Sequence, residues 1–456
     1  MTKHLHHLSW KHLIVALFFL QCNIKASEKT TTNSRPNIIF IMADDLGYAD
    51  LGCYGQKRIA TPHIDRLASE GVRFTQVYAG STVCAPSRSV LMTGQHLGHT
   101  TVRGNSSALL QSASNPQGRV PLADSDSTVA EVLKGAGYVT GITGKWGLGE
   151  PGTEGIPNKQ GFDEWFGYLN QKKAHSYYPE YLWKNEKKIV LDGNANSGRQ
   201  VYSHDLMTDF ALDFIERHQD TSFFLYIPYT IPHDRYEVPE LGQYSDSTWS
   251  EQEKAFAAMV SRMDYDIGRI VQTLKGASID ENTIIFFCSD NGAAQRWEGV
   301  FDSSGELKGR KRDLYEGGIR TPMVVRYSGK IRPGVNTEAV WYFADVLPTL
   351  AAIAGVSALK EIDGVNIWPC IIEDRPLPDD RFLYWEFYEK RFGQAVRWQN
   401  WKAVKNDVGS PWELYDISSD ISEKKNLSDE RKDVVEKIEA WIEQNRTESP
   451  HWASEM

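Results

Sequence analysis

The sequence predicts an α/β protein. A large mixed, mostly parallel sheet is sandwiched by helices, and a smaller C-terminal α+β subdomain follows, made of antiparallel strands and a closing helix. Three observations predict it. Four apolar runs end in polar residues, and each is preceded by a helical pattern. These runs are continuous rather than alternating, as expected for strands buried on both faces. Past Asp380 the pattern changes to short aromatic runs and then one amphipathic helix.

The elements follow in order. "NIIFIMADD" runs from Asn37 into Asp44 and Asp45. "TPHIDRLASEG" reads as a helix, with Thr61 as cap, Pro62 in the first turn and Gly71 past the end. "CAPSRSVLMTG" puts Cys84 at a helix N-terminus, with Pro86 in the first turn and Gly94 beyond the end. "STVAEVLKGAG" is a helix leading into "YVTGITGKWG", a strand that reaches Lys145. "FFLYIPYTIPH" runs from Phe223 to His233. Between Glu253 and Lys275, the residues Phe256, Met259, Val260, Met263, Ile267, Ile270, Val271 and Leu274 share one helix face. The strand "TIIFFCSDNG" follows and ends in Asp290 and Asn291.

Strands alternating with helices form a parallel sheet, and such sheets bind ligands beyond the carboxyl ends of their strands. All four polar endings therefore converge on one edge. After "DRPLPDD" come "RFLYWEF", "QAVRWQNWKAVK" and "WELYDI", read as antiparallel strands, and "KDVVEKIEAWIEQN", read as the closing helix. The domain boundary falls near Leu377, giving a main domain over 35–376 and a subdomain over 377–456.

Size and composition narrow the function. With 456 residues and apolar and charged shares of 41% and 24%, the chain is globular. A net charge of −10 argues against nucleic acid as a partner, although local cations can still recruit an anion. Most of the aromatic residues fill the core. Lys3, His4 and Lys11 precede "LIVALFFL", which is too short to cross a bilayer and suits a signal peptide over 1–26 with cleavage after Ala26. Cys22 as a lipid-attachment site is the lesser alternative, because Gln21 before it is not small. The expectation is an exported protein, periplasmic or secreted, with no transmembrane span. Cys53, Cys84, Cys288 and Cys370 remain in the mature chain, none at zinc-site spacing. Cys288 reads as a buried thiol, and pairing of Cys53 with Cys370 is left open.

Two constellations carry chemistry. Asp44, Asp45, Asp290 and Asn291 are hard oxygen donors of the kind that bind calcium or magnesium. One Asp at a strand end is commonly a turn residue, but Asp-Asp on one strand and Asp-Asn on another make a donor set. Cys84 has two readings from its residues alone. It is a buried thiol, or it is a thiolate activated at a helix N-terminus with His96 or His99 as base. Neither accounts for Arg88, which lies one helical turn later on the same side.

"CAPSRSVLMTG" resembles the Cys-x-Pro-Ser-Arg signature of type I sulfatases, members of the alkaline phosphatase superfamily. Five further segments resemble family motifs in the same order: "PNIIFIMADDLGYADLGCYG", "GKWGLG", "IPHDRY", "SDNG" and "LKGRKRDLYEGGIRTP". "WELYDISSDISEKKNLS" resembles the family's C-terminal subdomain. The resemblance implies an alkaline phosphatase-like fold and a sulfuric ester hydrolase. It also implies that Cys84 is oxidised by a formylglycine-generating enzyme to formylglycine (3-oxoalanine), whose hydrate is the nucleophile. One calcium ion would be held by Asp44, Asp45, Asp290, Asn291 and the modified Cys84. Arg88, Lys145 and Lys311 would offset negative charge, and His233 would protonate the leaving oxygen.

One departure stands out. Many family members carry His two residues after the motif lysine, where this chain has Gly147. His96 or His99 is expected to replace it. The segment Gln171–Asn185 sits where family loops wall the substrate pocket and Gly98–Asn105 lies beside the nucleophile, so Arg103 and His175 are expected to contact sugar hydroxyls or neighbouring sulfates. These loops resemble exported bacterial sulfatases acting on sulfated galactose or N-acetylgalactosamine glycans. That implies a sulfated mono- or oligosaccharide substrate carrying a 4-O-sulfate. The alternatives are a phosphonate or phosphodiester hydrolase on the same fold, and a non-catalytic glycan-binding relative.

Overall fold

The computed structural model describes residues 35–357, 361–389 and 391–454. The segment 1–26, expected from the sequence to be a signal peptide, lies outside the described residues with Cys22. Eleven strands make the main sheet. They are β1 (Asn37–Ala43), β2 (Val72–Tyr78), β3 (Val139–Lys145), β4 (Glu164–Tyr168), β5 (Tyr181–Lys184), β6 (Lys187–Val190), β7 (Phe223–Pro228), β8 (Thr283–Ser289), β9 (Arg320–Tyr327), β10 (Val335–Thr337) and β11 (Trp341–Tyr342). Their order is β10-β2-β9-β8-β1-β7-β3-β4-β5-β6, and β11 also pairs with β2.

The five central strands β8, β1, β7, β3 and β4 are mutually parallel. The four apolar runs singled out in the sequence are four of these five. β1, β7 and β8 are buried along their whole length because both faces are covered. From β1, Ile38, Phe40 and Met42 enter one core, while Ile39 and Ile41 enter the other. Helices α1 (Pro62–Ser69), α2 (Cys84–Thr93), α3 (Val129–Gly135), α4 (Ser203–Arg217) and α5 (Glu251–Gly276) flank the sheet. Val90 and Leu91 of α2 and Leu133 of α3 join the first core. Ile64 of α1, Phe214 of α4 and Met263 of α5 join the second. Each such side chain buried contributes about 1.5–3 kcal/mol. Thr128 with Glu131 and Ser250 with Glu253 form capping boxes that start α3 and α5.

Strand direction decides what reaches the shared carboxyl edge. β9 is antiparallel to β8, and β2 is antiparallel to β9. The carboxyl end of β2 therefore lies on the same edge as that of β1, and the chain runs from it into α2. β9 starts on that edge, so the segment before it, with Lys311, is delivered there too.

The C-terminal segment forms a second, antiparallel sheet, β12 (Phe382–Phe387), β13 (Gly393–Trp398), β14 (Trp401–Lys405) and β15 (Glu413–Asp416), closed by the helix Lys432–Asn445. "QAVRWQNWKAVK" splits into β13 and β14 around Gln399, which takes a left-handed turn at φ 52°. Tyr384, Val396, Leu414 and Ile438 make a small separate core. This sheet grips the segment carrying Lys311. The buried Lys402 Nζ donates to Leu314 O at 2.8 Å and pairs with Glu316 and Glu423 at 3.4 and 3.3 Å. Glu423 also accepts from the Glu316 backbone N–H at 2.8 Å. Residues 35–456 form one compact unit. Cys53, Cys84, Cys288 and Cys370 are all free thiols, so Cys53 and Cys370 are unpaired. Among the described residues, no helix is long and apolar enough to cross a membrane.

Candidate active site

Cys84 is the first residue of α2 and is 2% exposed. It lies on the wall of a cavity of about 570 Å³, with Asn105, Gln171, His175, His233 and Lys311 among the other lining residues. Its Sγ is 3.4 Å from Asp44 Oδ1 and 3.6 Å from Lys311 Nζ. Burial pushes the thiol pKa up, and Asp290 and Asp44 push it further. Of the two readings left open by the sequence, this setting favours the buried thiol over the activated thiolate, because burial and two carboxylates outweigh any pull from the helix N-terminus.

Each carboxylate has a cation of its own at close range, and Arg88 also reaches Asp44 at 3.8 Å. Lys145 Nζ is 2.7 Å from Asp44 Oδ2, and Lys311 Nζ is 2.7 Å from Asp45 Oδ2. Arg88 is 2.8 Å from Asp290 Oδ2 and also donates to Lys145 O. Asp45 sits at φ 67°, and its backbone N–H donates to Asp290 Oδ1 at 3.1 Å, which locks the two strand ends together. Burial alone would raise the Asp44 carboxyl, but Lys145, His233, Arg88 and Lys311 hold it well below the usual range. Asp290 is raised by burial and by the charge of Asp44. Burial acts to lower the Lys311 ammonium pKa, yet Asp45, Cys84, Asp44 and Asp290 outweigh it and raise the value.

The donor set fits a hard divalent cation. Ligand-type atoms of Asp44, Asp45, Cys84 and His233 all lie within 4.8 Å of one another. Asn291 Nδ2 donates to Asp45 Oδ1 at 2.7 Å, while its Oδ1 is buried with no partner among the described residues. A buried amide oxygen left unpaired beside carboxylates is what an oxygen-seeking cation satisfies.

His233 Nε2 lies 3.2 Å from Asp45 Oδ2 and 3.1 Å from Lys311 Nζ, and its Nδ1 is 2.6 Å from Asp234 Oδ1. His175 stacks on it at 3.7 Å and lines the cavity. Burial lowers the His175 pKa, and Lys145 and His233 lower it further, to about 2, so this ring is neutral.

Two expectations are corrected. Arg103 is 2% exposed and is not among the residues lining the cavity. Its guanidinium donates to Thr447 O and Thr100 O at 2.8 and 3.1 Å and lies 3.6 Å from Glu386. It ties the α2 exit to the C-terminal subdomain. His96 and His99 follow the far end of α2, and ten residues of helix put about 15 Å between that end and Cys84. They stack on each other at 4.2 Å, and His99 Nδ1 is 2.9 Å from Asp363. Neither can serve Cys84 as a base.

The space that a side chain at 147 would need is already filled. Gly147 has φ 79°, and a Cβ there would meet Gln171 Oε1 at 2.2 Å. Gln171 Nε2 donates to Asn105 Oδ1 at 3.2 Å, and the same oxygen accepts the Ala85 N–H at 3.1 Å in the first turn of α2. Gly147→Ala is therefore expected to cost about 1–3 kcal/mol from left-handed strain and displacement of Gln171. Thermal unfolding measures this, and an unchanged midpoint would mean that Gln171 yields freely. Asn105 and Gln171 fall within the two loop segments that the sequence places at the site, though neither was singled out there, and Arg310 and Arg312 were missed as cavity-lining residues. The basic run "GRKRD" around Lys311 was the available signal for the two arginines. Asn105 and Gln171 did not stand out from their neighbours in those segments, since both act through a contact between distant loops.

Comparisons with known proteins agree with this geometry. A family model described as Sulfatase matches residues 36–356, and one described as N-sulphoglucosamine sulphohydrolase, C-terminal, matches 308–448. Human arylsulfatase A is 32% identical over 447 residues, covering 86% of this chain and 83% of that protein. Human N-acetylgalactosamine-6-sulfatase is 33% identical over 376 residues, covering 76% and 68%. The crystal structure of Ps i-CgsB in complex with k-i-k-neocarrahexaose superposes with a TM-score of 0.81 at 31% identity, covering 93% of this chain and 96% of that one. With its cysteine, cations and carboxylates gathered at one sheet edge, the chain belongs to the sulfatase family, as a type I sulfatase of the alkaline phosphatase superfamily and a sulfuric ester hydrolase.

Proposed function

We propose that this enzyme removes a sulfate ester from a carbohydrate, a 4-O-sulfate on galactose or N-acetylgalactosamine, after export to the periplasm or the medium. The observation that carries the reading is the setting of Cys84, 3.4 Å from Asp44 and 3.6 Å from Lys311 on the wall of a cation-rich cavity. Cys84 is in this reading a precursor, oxidised to formylglycine by a formylglycine-generating enzyme. The hydrated aldehyde supplies one hydroxyl to attack sulfur and a second whose proton loss releases sulfate by carbon–oxygen cleavage. A buried, protonated thiol supports a precursor over a working nucleophile. Calcium bound by Asp44, Asp45, Asp290 and Asn291 supplies Lewis-acid polarisation when present.

The chain's own groups do the rest. Lys311, 3.6 Å from Cys84 on the cavity wall, is placed to hold the ester's outer oxygens, and Lys145, bonded to Asp44 beside Cys84, offsets the charge that builds in the transition state. Arg88 spans Asp290 and the carbonyl of Lys145, which fixes the floor beneath the nucleophile. His233, held at Nδ1 by Asp234, presents Nε2 to the leaving oxygen as a proton donor.

The carbohydrate reading draws on the names of the relatives, an N-acetylgalactosamine-6-sulfatase and a protein bound to a neocarrahexaose. The O4 position draws on the likeness of the loops. The test is a panel of 4-O- and 6-O-sulfated galactose and N-acetylgalactosamine, as mono- and oligosaccharides, assayed for free sulfate. The 4-O esters are expected to lead in kcat/KM by about tenfold or more. A lead for 6-O esters overturns the position. Hydrolysis of an aryl sulfate with no release from any sugar overturns the substrate class. Faster turnover of an aryl phosphodiester returns the reading to the phosphonate or phosphodiester hydrolase alternative.

A further inference from the structure

A second cavity, of about 370 Å³, adjoins the catalytic one across the segment 170–176. Gln171 and His175 line the catalytic side, and Asn170, Lys173 and Ser176 line the other. One short stretch of chain is therefore the wall between the two. We propose that the second cavity is a subsite for an anionic sugar residue, the neighbour in the same chain of the residue whose sulfate is cleaved. The proposal rests on the carbohydrate reading above.

Its lining carries the argument. Tyr181 and Trp183 are alternate residues of β5, so both rings project from one face of the strand. They meet edge to face at 6.2 Å and 84°, and both are half-buried, as a platform for a sugar face would be. Lys173 and Lys188 stand 4.2 and 4.7 Å from the Tyr181 ring centre, and Lys188 is 5.5 Å from that of Trp183. Among the described residues, neither ammonium is ion-paired with a carboxylate. Glu150 and Glu180 also line the cavity and Lys173 acts on Glu150, so Lys188, held over both rings, is the cation left to meet an anion. Asn170 braces the wall from within: its Nδ2 donates to Glu150 Oε1 at 2.6 Å, and its Oδ1 accepts the Lys172 and Lys173 N–H at 3.0 and 3.1 Å. The volume falls within the range of small-ligand pockets, about 300–1,000 Å³.

The test uses the mature, metal-loaded enzyme and two variants, Trp183→Ala and Lys188→Ala, with Trp183→Phe as the ring-conserving control. The readout is the ratio of kcat/KM on a sulfated oligosaccharide to that on the matching sulfated monosaccharide. Trp183→Ala is expected to lower that ratio about tenfold, and Trp183→Phe to recover most of it. Lys188→Ala is expected to lower the ratio only when the neighbouring residue is anionic, and oligosaccharides with a sulfated, uronate or neutral neighbour separate the sources of charge. A separate arm measures binding without turnover, by affinity electrophoresis of Cys84→Ala protein in a sulfated galactan and in its desulfated form.

If the enzyme cleaves sugar sulfates but both ratios stay at the parental value, the subsite is overturned and the function reading stands. If no sugar sulfate is cleaved, yet binding to the sulfated galactan depends on Trp183, the function reading falls and the subsite stands. Equal retardation by the desulfated galactan overturns the anionic requirement. Neither turnover nor binding overturns both.

Discussion

Cys84→Ala is expected to lower kcat for sulfate release by about 10⁵-fold or more, the scale set when a nucleophile is removed from a machine that works as a unit. The cavity itself should survive, because Cys84 contributes a small buried side chain with two long polar contacts, at 3.4 Å to Asp44 and 3.6 Å to Lys311. Circular dichroism and thermal unfolding near the parental values would confirm that the loss is chemical. Cys84→Ser sharpens the test. A serine keeps one hydroxyl and lacks the second, so it can take sulfate from the substrate but cannot expel it by carbon–oxygen cleavage. The expected result is at most one turnover, with a mass gain of one SO₃ on the peptide that contains residue 84. Repeated turnover at the parental rate by Cys84→Ser would falsify the formylglycine reading. Protein made with and without a formylglycine-generating enzyme gives a matched control, since the peptide mass reports thiol or aldehyde directly.

Lys145→Ala carries the second largest effect, and it splits into two measurements. Lys145 is fully buried at the end of β3, and its ammonium is 2.7 Å from Asp44. As a charge-stabilising donor it is expected to contribute about 10²–10³ in kcat. Its loss also strands a buried carboxylate, which in chelator-treated protein is expected to cost about 3–5 kcal/mol. The pair Lys145→Ala with Asp44→Asn removes both charges. That double variant is expected to regain much of the stability and none of the activity. If it regains activity as well, Lys145 acts only by balancing charge inside the fold and does not touch the substrate.

The C-terminal sheet bears on the same chemistry. Lys402, Glu316 and Glu423 form a buried cluster that holds the segment from Leu314 to Glu316, a few residues past Lys311. The loop that carries Lys311 to the cavity is thus clamped by a different sheet from the one that delivers the cysteine. This explains physically why the antiparallel subdomain packs into one unit with the main domain.

Legibility in the sequence followed locality. β1, β7 and β8 are continuous apolar runs because both faces are buried, so they could be read directly, and their polar ends could be placed on one edge. β2 and β9 were harder. β2 alternates between buried and half-buried positions, and β9 carries a proline and two arginines. Their antiparallel course brings the Lys311 segment back to the site, and no local pattern announces it. Arg103 shows the converse error. A basic residue near the nucleophile looked available for substrate, yet Thr447 and Glu386, more than 280 residues away in the chain, take up its guanidinium.

The sequence by itself determined the layered α/β plan, the oxygen donors at two strand ends, the cysteine at the mouth of α2 and the cations meant for it. Each of these is written in a short stretch whose burial or capping needs few partners. Only the tertiary structure decided which cation meets which carboxylate, that Gln171 fills the space beside Gly147, and that His96 and His99 stand at the wrong end of their helix. Those outcomes depend on distances between segments remote in the chain, and such distances exist only once the sheet order is set.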